Sequence, residues 1–308
     1  LFRSGRALEL WLQQQGAQAL FARIDVDRGA ATAIGAWRQQ LSHLAGTSDA
    51  PDWDAPTFEA WRLQRRVCLN PGSAGAPLYH LELLPQQGAL PDWQSGDLVQ
   101  IVAPTEAERP REYSIASLPQ DGSLQLLVRL HSHADGQHGV VSGWLTQQAS
   151  LGETLALRVR AHRRFRLEEN HARPLILIGN GSGIAGLRAH LKTRMLAGQT
   201  RNWLLFGERN AAHDGPYRDE LTQWQAQGQL ARLDLVYSRD QAQRRYVQHV
   251  LAEQASRLHD WLEEGAAIYV CGSLEGMAAG VDEVLLTLLG PDALALLAAA
   301  GRYRRDVY

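Results

Sequence analysis

Hydrophobic and polar positions follow two different patterns along the chain. Between residues 60 and 168, short apolar runs alternate with polar residues and are separated by Gly, Pro and Asp turns. Regularly spaced short strands of this kind predict a closed antiparallel barrel, interrupted here by one helical stretch. From residue 174, continuous apolar runs such as PLILIG and AAIYVCG alternate with helical patterns. This alternation predicts a doubly wound parallel sheet, so the expected fold combines all-β and α/β parts.

The chain divides into four segments by pattern. Residues 1–45 are predicted to form a helix, a strand and a second helix, a unit too small to fold alone. Residues 46–59 contain closely spaced Gly, Ser, Asp and Pro and are predicted to be a linker. The barrel takes residues 60–168 and the α/β domain takes residues 169–308. Because the chain opens with Leu1 inside a helical pattern, we expect it to continue from something upstream.

Composition narrows the class of protein. The 308 residues suit about two domains, and the net charge of −2 argues against a general nucleic-acid binder. Cys68 and Cys271 are the two cysteines, and their spacing matches neither a disulfide framework nor a zinc site. No apolar run reaches the ~18 residues of a membrane span. We therefore expect a cytoplasmic chain without a membrane segment, although the parent polypeptide could be membrane-associated.

A loop with three histidines, HSHADGQHG, raises the question of a metal. His131, His133 and His138 fall within eight residues, but neither a cysteine nor a paired carboxylate completes a ligand set. We expect a solvated loop and no metal.

A glycine-rich segment follows the first buried strand of the α/β domain. In LILIGNGSGIAGLRAHL, Gly181, Gly183 and Gly186 satisfy the pattern G-x-G-x-x-G, between a predicted strand and a predicted helix. Glycines in this context let backbone N–H groups approach a diphosphate at a helix N-terminus. The segment predicts a dinucleotide site, and a tight turn without a ligand is the alternative.

A second polar cluster suggests which dinucleotide binds. In YSRDQAQRRYVQ, Ser238 and Arg239 lie at a strand end, and Arg244 and Tyr246 lie at the start of the next helix. A hydroxyl and two guanidinium groups suit a 2′-phosphate, and the phenol ring suits an adenine. The cluster predicts NADPH in preference to NADH. The alternative is a solvated basic helix start.

Two strand segments carry candidate chemistry. REYSIASLP places Arg111, Tyr113, Ser114 and Ser117 in one β-like run, which suits a ligand that is part ring and part phosphate. An ordinary barrel strand is the alternative. Cys271 ends the fourth buried strand, where open α/β sheets bind ligands, so it could lie beside a reacting nicotinamide carbon. A buried packing cysteine is the alternative there.

Seven motifs together resemble the ferredoxin-NADP reductase module of the diflavin reductases, over about residues 60–308. They occur in the family's order, and they are REYSIAS, HGVVSGWL, LILIGNGSGIAG, NWLLFGERN, VYSRDQAQRRYVQ, IYVCGSLEGMA and RYRRDVY. The flavoprotein subunit of NADPH-sulfite reductase is the nearest likeness. The resemblance implies an FAD-binding barrel, an NADP-binding α/β domain and a cleft between them.

The resemblance also implies which residues bind the cofactors. FAD is assigned to Arg111, Tyr113, Ser114, Ser117, Gly139, Val140, Val141, Ser142 and Tyr308. Motifs and resemblance together assign NADPH to Gly181, Ser182, Gly183, Ser238, Arg239, Arg244, Tyr246 and Cys271. By resemblance, the residues that poise the nicotinamide for hydride transfer are Ser114, Cys271 and Asp306. The terminal Tyr308 matches an aromatic that covers the flavin and moves when NADPH enters.

The expected function is that of an NADPH-dependent flavoprotein reductase. Hydride would pass from NADPH to FAD, and single electrons would leave for an FMN domain or another acceptor. Residues 1–45 resemble the end of a flavodoxin-like FMN domain, so the expected partner is an FMN-carrying domain or a haem- or iron-type acceptor. A plain NAD(H)-dependent Rossmann dehydrogenase and a non-catalytic remnant that binds partners are the alternatives.

Four departures from the family pattern stand out. Ser182 replaces a threonine, Gly186 replaces a proline and Leu187 replaces an aromatic in the glycine segment. Gly186 is expected to loosen the turn. The long helical connecting region of the relatives is absent, and we expect about nine loop residues in its place, within DLVQIVAPTEAERPREYS.

Overall fold

The computed structural model describes residues 2–18, 23–26, 33–34, 37, 57–133 and 135–308. By internal contacts the chain forms two compact units, Leu1–Thr57 and Phe58–Tyr308. The first contains helix α1, Phe2–Gln14, after which Gly16 takes a positive φ of 86°. The predicted strand and second helix of this unit lie largely outside the described residues. No helix in the described part of the chain is long and apolar enough to cross a membrane.

The second unit opens with a six-stranded antiparallel sheet in the order β4-β3-β6-β1-β2-β5. A bridge between Ile115 and Leu126 joins the segment after β4 to β5, so the two ends of the sheet meet and the barrel closes there. Inward-facing side chains such as Trp61, Val99 and Leu155 form its core. The strands are β1 Glu59–Cys68, β2 Leu78–Pro85, β3 Leu98–Ala103, β4 Glu106–Ser114, β5 Leu124–Arg129 and β6 Thr154–Arg160.

The connection between β3 and β4 differs from the sequence expectation. The predicted loop of about nine residues is wrong, because β4 begins at Glu106, and only Pro104 and Thr105 separate it from β3. Pro110 lies inside β4, which is possible because β4 is an edge strand of the sheet. A short helix, α2 Val140–Gly143, and a π-helical turn, Trp144–Gln148, follow β5.

A five-stranded parallel sheet in the order β11-β10-β7-β8-β9 forms the second lobe of this unit. The chain runs outward from β7 to β9 and then returns to β10 on the other side of β7. The strand order therefore reverses between β7 and β10, the place where open α/β sheets bind ligands. The strands are β7 Leu175–Asn180, β8 Asn202–Glu208, β9 Arg232–Tyr237, β10 Ala267–Gly272 and β11 Tyr303–Val307.

Helices cover both faces of this sheet, as the apolar runs predicted. One buried cluster packs under α3 and α4, and another packs under α5–α8. The helices are α3 Ile184–Leu196, α4 Arg218–Ala226, α5 Val247–Glu253, α6 Ala255–Glu263, α7 Ala279–Leu289 and α8 Pro291–Ala299.

The barrel and the α/β lobe share one continuous interface. Leu78, Ala116 and Leu127 of the barrel belong to the same buried cluster as the apolar face of α3. Arg188 of α3 is buried within this interface and donates to the carbonyl of Ala116 at 2.6 Å. Glu220 of α4 accepts two further hydrogen bonds from the same guanidinium, at 2.6 and 2.8 Å. Apolar contact and one buried cation thus join the two lobes.

Candidate active site

The glycine-rich turn packs directly against strand β10. Gly181–Gly183 form a single 3₁₀ turn between β7 and α3, and Gly181 has a φ of 57°. A Cβ on Gly183 would lie 2.1 Å from the carbonyl oxygen of Cys271. Only glycine therefore allows the turn to approach the end of β10 this closely.

Ser114, Cys271 and Asp306 meet at this point. The Ser114 hydroxyl donates to Asp306 Oδ2 at 2.8 Å, and Cys271 Sγ lies 3.7 Å from the same oxygen. Cys271 and Asp306 are register partners on the parallel pair β10–β11, whereas Ser114 ends barrel strand β4. The structure thus brings together the three residues predicted to be catalytic, one from the barrel and two from the α/β lobe.

The Cys271 thiol is a neutral group in this setting. It is completely buried, and burial raises the pKa of the thiol well above its ordinary value. The neighbouring Asp306 carboxylate raises that pKa further. Because a thiol is nucleophilic only as the thiolate, Cys271 can position a ligand or donate a hydrogen bond, but it is a poor nucleophile.

Gly186 lies in the first turn of α3, not in the glycine turn, so the expectation that it loosens that turn is wrong. A Cβ on Gly186 would lie 3.6 Å from Cys271 Sγ and 3.7 Å from Ser114 Cβ. A side chain at position 186 would therefore reduce the space beside Cys271 and Ser114.

A cavity of about 1500 Å³ extends from this cluster, with walls from both lobes. It exceeds the roughly 300–1,000 Å³ of pockets for drug-sized ligands, so it has room for more than one such molecule. Most predicted binding residues line it, namely Arg111, Tyr113, Ser114, Gly139, Val140, Val141, Ser142, Gly181, Ser182, Ser238, Arg239, Tyr246, Asp306 and Tyr308.

Ser117 does not line the cavity, although the family resemblance assigned it to the flavin. Strand β4 ends at Ser114, so the alternation of the strand does not extend to Ser117. The Ser117 hydroxyl is buried, donates to the carbonyl of Ser123 and accepts from the N–H of Gln125. These contacts stabilise the turn before β5. Gly183 and Cys271 do not line the cavity either; they are buried behind the residues that form its wall.

Of the two arginines predicted in the basic segment before α5, one lines the cavity and the other does not. Ser238, Arg239, Arg245 and Tyr246 line the cavity, whereas Arg244 does not. The segment has no regular secondary structure from the end of β9 until α5 begins. Side-chain directions there could not be read from a helical or strand period.

Sequence reasoning missed an ion pair across the cavity. Arg129, the last residue of β5, contacts Glu208, the last residue of β8, with Nη2 and Oε1 2.6 Å apart. The next residue, Arg209, also lines the cavity. The pair joins residues 79 positions apart in two different sheets, so neither segment signals it alone.

Tyr308 is fixed by its backbone at the edge of the cavity. Its N–H donates to the carbonyl of Gly272, and its own carbonyl accepts from the N–H of Leu274. The phenol oxygen lies 2.8 Å from Ser182 Oγ, while 59% of the residue is exposed. The aromatic ring is therefore held at the cavity mouth with its backbone anchored.

No group of three or more His, Cys, Asp or Glu side chains within the described ranges has the arrangement of a metal site. In the histidine-rich loop, the Ser132 hydroxyl instead lies 3.1 Å from His138 Nδ1.

An antiparallel barrel, a parallel sheet with a glycine turn at its switch point and a shared cavity define the class of dinucleotide-binding oxidoreductases. Residues 177–283 match the family model described as an oxidoreductase NAD-binding domain. The sulfite reductase [NADPH] flavoprotein alpha-component of Yersinia enterocolitica is 36% identical over 225 residues, which is 68% of this chain and 37% of that protein.

Two further relatives carry the same name. The protein of Mannheimia succiniciproducens is 35% identical over 215 residues, covering 65% of this chain and 36% of the relative. The protein of Yersinia pestis is 35% identical over 233 residues, covering 70% and 38%. The chain belongs to the ferredoxin-NADP reductase-type module of the diflavin reductase family. It spans little more than a third of the length of these relatives.

Proposed function

We propose that the chain is the NADPH-oxidising module of a flavoprotein reductase that holds FAD in its barrel and NADPH in its α/β lobe. The observation that carries the proposal is the cluster of Ser114, Cys271 and Asp306. It draws on both lobes at the edge of one large cavity, where two cofactors would have to meet.

The barrel side of the cavity fits a flavin dinucleotide. The Arg111 guanidinium is about half exposed and lies 3.4 Å from Glu106, so it keeps a cation available to a diphosphate. Tyr113 lines the cavity, and burial raises the pKa of its phenol, so the side chain is a neutral aromatic there. The Ser142 hydroxyl and Gly139 lie where the chain enters α2, and a Cβ on Gly139 would lie 2.9 Å from Ser142 Oγ. These residues would hold the FAD diphosphate and ring.

The α/β side fits a phosphorylated nicotinamide dinucleotide. Ser238 and Arg239 line the cavity at the end of β9, and the described residues give Arg239 no ion-pair partner. Tyr246 is exposed beside them and could receive an adenine. The acidic residue at the end of β8, Glu208, is paired with Arg129 and so is not available to a ribose hydroxyl. These features support NADPH over NADH.

When bound, NADPH supplies a hydride and FAD accepts it and passes electrons on singly. Asp306 places a carboxylate at the meeting point of the lobes, where it would stabilise positive charge that develops on a pyridine ring. The Ser114 hydroxyl donates to that carboxylate and so fixes its orientation. The neutral Cys271 thiol fills the space beside it and excludes water. The residues therefore act by positioning and electrostatics.

The electron acceptor belongs to the proposal as well. We propose an FMN-carrying flavodoxin-like domain, upstream in the parent polypeptide, or a haem- or iron-type protein in the cytoplasm. The names of the relatives, flavoprotein components of sulfite reductase, support an acceptor of this kind.

A visible absorption spectrum before and after addition of NADPH tests the function. We expect a yellow protein whose flavin absorbance falls on adding NADPH and recovers on adding ferricyanide. The fall should be slower when NADH replaces NADPH. A colourless protein that oxidises an alcohol with NAD would point to a plain dehydrogenase. A protein whose thermal stability responds to neither FAD nor NADPH would point to a non-catalytic role.

A further inference from the structure

Tyr217, the residue before α4, has a backbone conformation that non-glycine residues seldom adopt. Its φ of 58° and ψ of 19° lie in the left-handed region, where the Cβ atom of an L-residue is crowded. Within the described residues, only Glu168 shares a positive φ without being a glycine. Such a conformation persists where the surrounding contacts hold it in place, and for Tyr217 those contacts cross to the other lobe.

The hydroxyl of Tyr217 reaches barrel strand β2. It lies 2.7 Å from His80 Nδ1, and His80 Nε2 lies 3.3 Å from Glu82 Oε1. Because a carboxylate only accepts hydrogen bonds, the proton of the imidazole is on Nε2. Burial lowers the pKa of His80, so the ring is neutral and Nδ1 accepts from the Tyr217 hydroxyl. Tyr217 is therefore a donor across the interface between the lobes.

The aromatic ring of Tyr217 covers the buried guanidinium that joins the lobes. Arg188 Cζ lies 4.5 Å from the centroid of the ring, within the distance of a cation–π contact. Both carboxylate oxygens of Glu220 accept from the same guanidinium. Tyr217 and Glu220 thus restrain Arg188 from the side of the α/β lobe.

The restrained guanidinium contacts the barrel two residues after Ser114. Its Nη1 donates to the carbonyl of Ala116 at 2.6 Å and to Gln125 Oε1 at 3.0 Å. The Ala116 N–H donates to the Gln125 carbonyl at 2.8 Å, so the segment that follows Ser114 is held on both sides. Ser114 is also the donor to Asp306. A chain of direct contacts therefore connects Tyr217 with the bond between Ser114 and Asp306.

We propose that Tyr217 is a positioning residue for hydride transfer and acts, through Arg188, on the orientation of Ser114. The inference rests on the proposed function and deepens it, because it gives a role in the reaction to a residue that does not line the cavity. The competing explanation is a purely structural contact that stabilises the interface between the lobes.

The test uses the FAD-loaded chain and the variant Tyr217→Phe, which keeps the ring over Arg188 and removes the hydroxyl. Tyr303→Phe is the matched control, because the Tyr303 hydroxyl also contacts a protein acceptor, Asp282, but within the α/β lobe. Stopped-flow absorbance gives the rate of flavin reduction at saturating NADPH, and its dependence on NADPH concentration gives the dissociation constant. Urea unfolding gives the stability of each variant.

We expect Tyr217→Phe to slow flavin reduction at saturating NADPH about fivefold, the effect of one neutral hydrogen bond, and to change the dissociation constant of NADPH less than about twofold. Tyr217→Leu also removes the ring from Arg188 and should slow the reaction about twentyfold. Tyr303→Phe should lower the stability to a similar extent as Tyr217→Phe and leave the rate within about twofold of wild type.

A double-mutant cycle with Ser114→Ala tests the route of the effect. In the Ser114→Ala background, Tyr217→Phe should slow flavin reduction less than about twofold, because the bond to Asp306 is already absent. If Tyr217→Phe does not fold, the double variant Tyr217→Phe/His80→Leu replaces it, since it leaves no unpaired acceptor, with the same expected loss.

Three results would overturn the role of Tyr217. They are equal slowing with and without Ser114, a wild-type rate combined with lower stability, and equal slowing by Tyr303→Phe. A wild-type chain whose FAD is not reduced by NADPH would instead refute the proposed function.

Discussion

Ser114 donates a 2.8 Å hydrogen bond to Asp306 across 192 residues of sequence, and this bond joins the last residue of β4 to strand β11. Its two ends belong to different lobes, so its geometry depends on how the lobes pack. A small change in that packing would alter the position of the carboxylate, with consequences for the hydride transfer proposed above.

We expect Asp306→Asn to slow flavin reduction by NADPH about a hundredfold, because an amide keeps an acceptor for Ser114 but lacks the charge that stabilises the transition state. Stopped-flow absorbance of the FAD-loaded chain measures this rate. Asp292→Asn, an exposed change in the first turn of α8, is the matched control. A rate for Asp306→Asn within twofold of wild type would contradict the role of the carboxylate.

The choice of dinucleotide should depend on Arg239 and not on Arg244. Arg239→Gln removes a cation that lines the cavity, so the KM for NADPH should rise at least tenfold while that for NADH stays nearly constant. Arg244→Gln removes a neighbouring exposed cation outside the cavity lining and should change either KM less than about twofold. Steady-state ferricyanide reduction measures both, and a comparable rise in the KM for NADPH with Arg244→Gln would restore the sequence assignment of both arginines.

Two glycines near Cys271 should differ in their tolerance of a methyl group. Gly183→Ala places a Cβ 2.1 Å from a backbone carbonyl oxygen and should destabilise the chain by roughly 2–4 kcal/mol. Gly186→Ala meets the edge of Phe165 at 3.2 Å and should cost less, with its main effect on the rate of flavin reduction. Urea unfolding compares the two variants. Equal stabilities would show that the turn can move away from β10.

Stability should fall in mild acid because of a buried histidine. Burial lowers the pKa of His190 to about 3, from an ordinary 6.5, and its Nδ1 lies 3.0 Å from Ser95 Oγ. Between these values the unfolded chain binds a proton that the native chain does not, so stability declines as the pH falls from 6.5 towards 3.

The expected loss from His190 is about 1.4 kcal/mol per pH unit, or about 2 kcal/mol between pH 6.5 and pH 5. Urea unfolding at pH 7 and pH 5 measures it. In the His190→Leu variant, the free energy of unfolding should decline less, by that amount. A decline identical to that of the wild type would assign the acid sensitivity to other groups such as His80, because burial also lowers the pKa of His80.

Much of the fold follows from local patterns because its strands are clearly apolar. The runs before Gly179 and Gly272 are completely buried strands, as continuous apolar sequence predicts. The start of β4 was missed because Glu106, Arg109 and Pro110 resemble a loop, although an edge strand accepts charges and proline.

The site was predictable where it depends on strand ends and less so elsewhere. Cys271 and Asp306 meet because parallel strands place register partners side by side. Ser117 lies away from the cavity because β4 ends at Ser114, so the β-like run of REYSIASLP stops before it. The pair of Arg129 and Glu208 depends on the packing of two lobes, and a single sequence contains no periodic signal for such a contact.

Arg188 opposes separation of the barrel from the α/β lobe. Pulling the barrel away from α3 would leave the Ala116 carbonyl and the Gln125 amide oxygen without their donor, and it would open the apolar seam around them. Domain opening by a hinge is therefore energetically unfavourable. Nucleotide exchange should proceed through rotation of side chains at the entrance, while both lobes stay in place. Its rate should depend on the size of the side chain at position 308 more than on solvent viscosity.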